Sequence, residues 1–184
     1  MSVLVRRVIA ASVVALAHSF AALAQQQVIS ATPPSLLIAS GAGRAVSFDV
    51  YYRTTPADLA ATGIGFRLNF DSAKLTFAGL TNVRGEDLVA YDATPQSTAA
   101  NKTGGTAAIE HLAFAYLSSA GAFAGAAQPV RLCTVTFKTT SSFSGSTRIS
   151  FTPTSTAAGF TFTAADMVVT AARSRSVRSK ESPQ

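Results

Sequence analysis

His111 and Cys133 are the side chains here best suited to nucleophilic, acid–base or metal chemistry, and each is alone of its kind outside the first two dozen residues. A zinc site needs three or four converging ligands, and this pair falls short. A Ser-His-Asp arrangement is formally possible around His111, but no serine sits in a nucleophile-elbow sequence. His111 follows Glu110 within an apolar stretch and reads as a strand residue near a sheet surface. Cys133 lies in Val130–Phe137 in register with Val135 and Phe137, which makes it a small buried hydrophobe.

Carboxylates offer the other route to catalysis. Glycoside hydrolysis takes two of them across a cleft. Asp49, Asp58, Asp71, Glu86, Asp87, Asp92, Glu110 and Asp166 fall mostly at expected strand ends or turns. Asp71 has no neighbouring carboxylates at calcium-loop spacing, and no glycine-rich phosphate cradle occurs. The residues therefore point to no catalytic site, no metal and no cofactor. Sugar binding would use flat aromatic platforms. Tryptophan is absent, which leaves Tyr51, Tyr91 and Tyr116 as stacking candidates if Tyr52 points inward. The bland alternative is that these tyrosines cap the core with their hydroxyls at its edge.

The elements that would position these groups are strands. Apolar residues alternate with polar ones at period two, as half-buried strands require. Val46, Phe48, Val50 and Tyr52 point one way in 44–53. Ile64, Phe66, Leu68 and Phe70 do so in 63–70, with Gly65, Arg67 and Asn69 facing out. Further strands are expected at 35–39, 74–80, 88–91, 106–117, 130–139, 148–152, 159–162 and 167–171. Turn chemistry separates them at 41–43, 71–72, 101–105, 121–125 and 141–145. The pattern predicts an all-β fold, a two-sheet antiparallel sandwich or jelly roll of roughly nine strands.

The ends of the chain read differently. Arg6 and Arg7 precede an uncharged apolar run, and Ala22-Leu23-Ala24 supplies the small-x-small pattern of a signal peptidase site. Residues 1–24 are expected to be a cleaved signal peptide, 25–172 one domain, and 173–184 a basic, serine-rich disordered tail. The formal charge is +6. Leader and tail carry +2 and +3 of it, so 25–172, with nine basic and eight acidic residues, holds only +1. A near-neutral body offers no electrostatic stripe for nucleic acid. No later segment has the ~20 apolar residues a membrane span needs, so the mature chain should be secreted or periplasmic.

Three blocks in order resemble the cohesin domain, the jelly-roll module of cellulosome scaffolds. Gly63-Ile-Gly-Phe-Arg-Leu-Asn-Phe-Asp71-Ser-Ala-Lys-Leu75-Thr-Phe77 is similar to the family's strand, aromatic-Asp-Pro turn and following leucine. Leu132-Cys-Thr-Val-Thr-Phe137-Lys138 is similar to its Leu-Ala-x-Ile-x-Phe-Lys strand. Asp166-Met-Val-Val-Thr-Ala171 matches its closing strand. The resemblance spans about 33–172. Asp71 at its strand end is expected to accept hydrogen bonds from the following turn, returning Leu75 and Phe77 to the core.

The resemblance implies a non-catalytic module that binds an extracytoplasmic protein partner through one sheet face, in assembly, adhesion or polysaccharide processing. Outward polar residues on the family's third strand help bind dockerins. Those positions are Gly63 and Gly65 here, which departs from the dockerin-binding pattern and leaves Arg67 and Asn69 on that face. The alternative implied by related sandwiches is a carbohydrate-binding module that takes a polysaccharide.

Overall fold

The computed structural model describes residues 25–57, 60–97, 109–125 and 128–172. The leader, the turn expected at 101–105, Asp58 and the tail lie outside the described residues. Eleven strands follow in order: β1 (Gln25–Thr32), β2 (Ser35–Ala39), β3 (Ala45–Thr55), β4 (Gly63–Asp71), β5 (Leu75–Thr81), β6 (Leu88–Ser97), β7 (Ile109–Leu117), β8 (Val130–Thr139), β9 (Ser146–Thr156), β10 (Phe160–Ala165) and β11 (Met167–Ala172). They form a five-stranded sheet, β10-β1-β3-β8-β5, and a six-stranded sheet, β2-β11-β9-β4-β7-β6. No described residue is helical, so no described helix could cross a membrane.

Alternation sorts the side chains as period two requires. In β3, Val46, Phe48, Val50 and Tyr52 are buried, and in β4 Ile64, Phe66, Leu68 and Phe70 are buried. These rows meet between the sheets. Phe70 of β4 packs on Phe137 of β8 with ring centroids 4.7 Å apart. Phe66 stacks at 5.0 Å on Phe114, its cross-strand partner in β7. Each large apolar side chain taken fully out of water contributes roughly 1.5–3 kcal/mol. Cys133 is wholly buried among them.

Two features depart from the expected plan. The first is β1, whose Gln25-Gln26-Gln27 opening hides an apolar half containing the fully buried Ile29. The second is two parallel pairs. β1 runs parallel to β10 in one sheet and, after Pro33-Pro34, β2 runs parallel to β11 in the other. First and last strands thus cross between sheets side by side. Parallel neighbours need a long connection, and here that connection is most of the chain, so local periodicity cannot reveal them.

Gln27 ties the sheets together. Its amide nitrogen donates to the Tyr52 hydroxyl (2.9 Å) and the Gly63 carbonyl (2.8 Å), while its oxygen accepts from the Ala157 N–H (2.8 Å). Phe123, within the expected turn at 121–125, plugs the sandwich beside it. Its ring lies 4.8 Å from Tyr52 and 5.3 Å from Tyr116, and its backbone exchanges two hydrogen bonds with Ala61.

Candidate functional site

β4 is central in the six-stranded sheet, between β9 and β7. Its outward side chains therefore sit mid-face. Arg67 lies opposite Thr152 on one side and Ala113 on the other; Asn69 lies opposite Ser150 and His111. Alternation carries the outward set further, to Arg148, Ser150 and Thr152 on β9 and His111, Ala113 and Ala115 on β7. Arg67, Asn69, Arg148, Ser150 and Thr152 line a shallow depression of about 400 Å³, with Phe70 and Ile109 also on its wall.

The polar groups differ in how far they are committed. Asn69 donates from its amide to the Ser150 carbonyl (3.4 Å) and the Thr152 hydroxyl (3.1 Å), which fixes it against β9. Arg148 pairs with Asp166 at 3.1 Å. Arg67 is exposed and has no hydrogen bond or ion pair to a described residue. Its charge is felt next door. His111 holds its proton less tightly than a free imidazole, through burial first and the positive Arg67 second, with Asp92 acting the other way.

The glycines of β4 are filled from the neighbouring strand. β9 shifts register between its pairs with Gly65 and Phe66, so Thr154 is the extra residue of a bulge. A Cβ on Gly65 would stand 2.4 Å from the Thr154 hydroxyl oxygen and 2.6 Å from that of Ser155. At Gly63 it would stand 2.1 Å from the Tyr116 carbonyl oxygen. These positions lack side chains because β9 and β7 occupy the space. A trough of about 220 Å³ lies beside them, lined by Ala113, Ala115 and Phe114 of β7, Ala90, Tyr91 and Asp92 of β6, and Thr154.

The stacking candidates do not assemble. Tyr116 is only 3 % exposed, packs against Phe123, and directs its hydroxyl at the Leu132 carbonyl, 3.4 Å away. Its expected place as a surface platform is corrected: on β7 it shares the inward row with Leu112 and Phe114. Tyr51 lies on β3 of the five-stranded sheet and Tyr91, 50 % exposed, on the edge strand β6 of the other. No common plane joins them.

Asp71 has the role its position suggests. Its carboxylate accepts from the Ala73 N–H at 3.0 Å and its carbonyl from the Lys74 N–H at 3.1 Å. Leu75 then enters the core and Phe77 packs at its edge. Among the described residues no three His, Cys, Asp or Glu gather as a metal-binding group. Sequence reasoning placed Arg67 and Asn69 on one face but missed Arg148, Ser150 and Thr152. Their own alternation signalled a shared face; that β9 neighbours β4 was not signalled.

A two-sheet sandwich with one polar, lightly committed sheet face is the architecture of an interaction module. The model of the cohesin domain matches residues 39–177, and the chain belongs to that family. The structure is similar to the seventh ScaB type I cohesin of Pseudobacteroides cellulosolvens, at TM-score 0.54 and 10% identity, over 85% of this chain and 99% of that one. It is also similar to the Coh-OlpA chain of a type I cohesin–dockerin complex from Clostridium thermocellum, at TM-score 0.52 and 13% identity, over 82% and 100% of the two chains. At these identities the likeness is one of fold. A comparison with curated proteins finds no match.

Proposed function

We propose that the chain is an exported, non-catalytic interaction module that engages a protein partner through the outward face of the six-stranded sheet, centred on Arg67 and Asn69. Family membership supports the class, and the Clostridium thermocellum relative is a cohesin seen with its dockerin. The observation that carries the choice of face is Arg67, exposed mid-sheet over a depression and bonded to no described residue. Interfaces favour arginine, which offers five donors on a planar fork. Residues 1–24 act as the cleaved leader in this reading, and 173–184 form a basic tail outside the domain.

The glycines weigh on partner choice. With Gly63 and Gly65 overlain by neighbouring backbone and side chains, the upper part of the face presents Thr154 and Ser155 in their stead. The partner need not be a dockerin of the kind held by the relatives. The test is capture of exported proteins on the immobilised chain and on its Arg67→Ala, Asn69→Ala variant. A defined protein held by the first and lost from the second is the expected result. Equal retention by both would move the interface elsewhere, and binding to a glycan array with no protein recovered would favour a polysaccharide.

A further inference from the structure

The outward positions in the middle of the three central strands carry Arg148, Ser150, Thr152, Arg67, Asn69, His111, Ala113 and Ala115, with Asp71 and Ile109 paired at the end of the row. Of these eight, two are guanidinium groups and one is an imidazole; the row's carboxylate, Asp71, lies at the strand end. The acids that border this strip are already engaged. Asp166 holds Arg148, and Asp92 accepts from the Thr94 N–H at 2.8 Å and the Gln96 amide at 3.2 Å. Asp71 caps its own turn. Those neutral donors leave Asp71 and Asp92 charged at the margins; within the strip Arg67 is the one cation with no ion pair to a described residue, and the depression beside it gathers hydroxyl and amide groups rather than anions.

Across the ladder the surface changes character. Arg67 pairs with Ala113, and Ala113 also borders the trough floored by Ala115 and walled by Tyr91. A cationic depression and a small apolar trough therefore adjoin. Successive same-face residues of an extended strand lie about 7 Å apart, so residues i and i+2 of a bound segment could fill both.

We propose that this face selects an acidic protein segment, whose Asp or Glu carboxylate pairs with Arg67 while an apolar side chain two residues on enters the trough over Ala113 and Ala115. The inference rests on the binding reading above and names the chemistry of its partner. Arginine and carboxylate pair through two parallel hydrogen bonds, and like charge is excluded here because Arg67 and Arg148 flank one depression. The charge pair sets orientation and partner choice more than affinity.

The test titrates the isotope-labelled full chain by NMR with acetyl-Ser-Asp-Gly-Leu-Ser-amide and with the same peptide carrying Asn for Asp. Shifts should cluster at Arg67, His111, Ala113 and Ala115, and the Asn peptide should bind about three- to five-fold more weakly, as loss of an exposed ion pair implies. That preference should shrink with added salt and vanish in Arg67→Gln, whose exposed position leaves the fold intact. Equal binding of the two peptides, no binding of either, shifts outside this face, or a preference that survives in Arg67→Gln would each overturn the proposal. The binding reading fails separately: a captured protein lost on mutating the face but indifferent to removal of its own acidic residues would keep the face and remove only the acidic partner.

Discussion

Thr154 stands over Gly65, its hydroxyl oxygen 2.4 Å from where a Cβ on that glycine would be. The contact turns an apparent loss of binding residues on β4 into a packing requirement imposed by the bulge in β9. Restoring a side chain at Gly65 should therefore strain the sheet rather than rebuild an interface. Gly65→Ala is expected to cost about 1–3 kcal/mol, the range of overpacking in a filled site. Part of that should return when Thr154 and Ser155 are both alanine. Urea denaturation of the single and combined variants measures this, and a neutral Gly65→Ala would refute it.

Gln27 is wholly buried and satisfies three polar groups on three other segments, Tyr52, Gly63 and Ala157. Gln27→Leu keeps much of the volume but leaves those groups without their partner. Each buried orphan costs about 1–3 kcal/mol, with relaxation recovering some, so a loss of about 2–4 kcal/mol is expected. A denaturation midpoint equal to that of the parent would show that water replaces the amide.

Cys133, Tyr52 and Tyr116 bear on alkaline stability. Burial pushes the Cys133 thiol up to about 12 from an ordinary 9.0, with the negative Asp49 adding to it. Burial likewise raises both phenols above 10.0, while Gln27 opposes the shift at Tyr52. In each case the folded state holds a proton that the unfolded chain gives up. The associated stability is present below the unfolded value and drains as pH rises through the folded one. Stability should thus fall from about pH 9 towards 12, at up to about 1.4 kcal/mol per pH unit for each group titrating. Cys133→Val should flatten the onset. The native thiol should resist aromatic disulfide reagents at pH 8 and react at the rate of unfolding; rapid labelling of the folded protein would contradict its burial.

His111 reports on Arg67. The guanidinium disfavours the imidazolium, so Arg67→Gln should raise the His111 pKa towards 6.5, incompletely because burial is the larger cause. An NMR titration of the His111 ring measures the change. No movement would mean that the two side chains do not sense each other across β4 and β7.

The cohesin model matches from residue 39, yet β1 and all of β2 but Ala39 precede that point. Ile29 is fully buried, and β1 is the strand that joins β10 to β3. A chain trimmed to begin at residue 39 should lose cooperative unfolding in a thermal melt monitored by circular dichroism. Two-state melting of the trimmed chain near the parent temperature would show β1 to be dispensable.

β1 also shows where sequence reasoning stops. Ten strands were legible because Val46 to Tyr52 or Ile64 to Phe70 repeat at the period of a half-buried strand. Three glutamines at the head of β1 mask that signal, since the buried Gln27 is acceptable only through partners far along the chain. Phe123 is similar. Glycines on either side mark a turn, while its burial depends on Tyr52 and Tyr116 converging from different sheets.

The amino-acid sequence by itself determined the all-β sandwich, the inward rows, the Asx turn at Asp71 and the outward placement of Arg67 and Asn69. All of these follow from period-two alternation and local turn chemistry. Tertiary structure alone decided that β9 lies against β4 and fills the space above Gly65. It also buried Tyr116 and left Arg67 at the centre of the face with no ion pair to a described residue. Those outcomes depend on which strands become neighbours, and strand pairing is settled by contacts between residues distant in the chain.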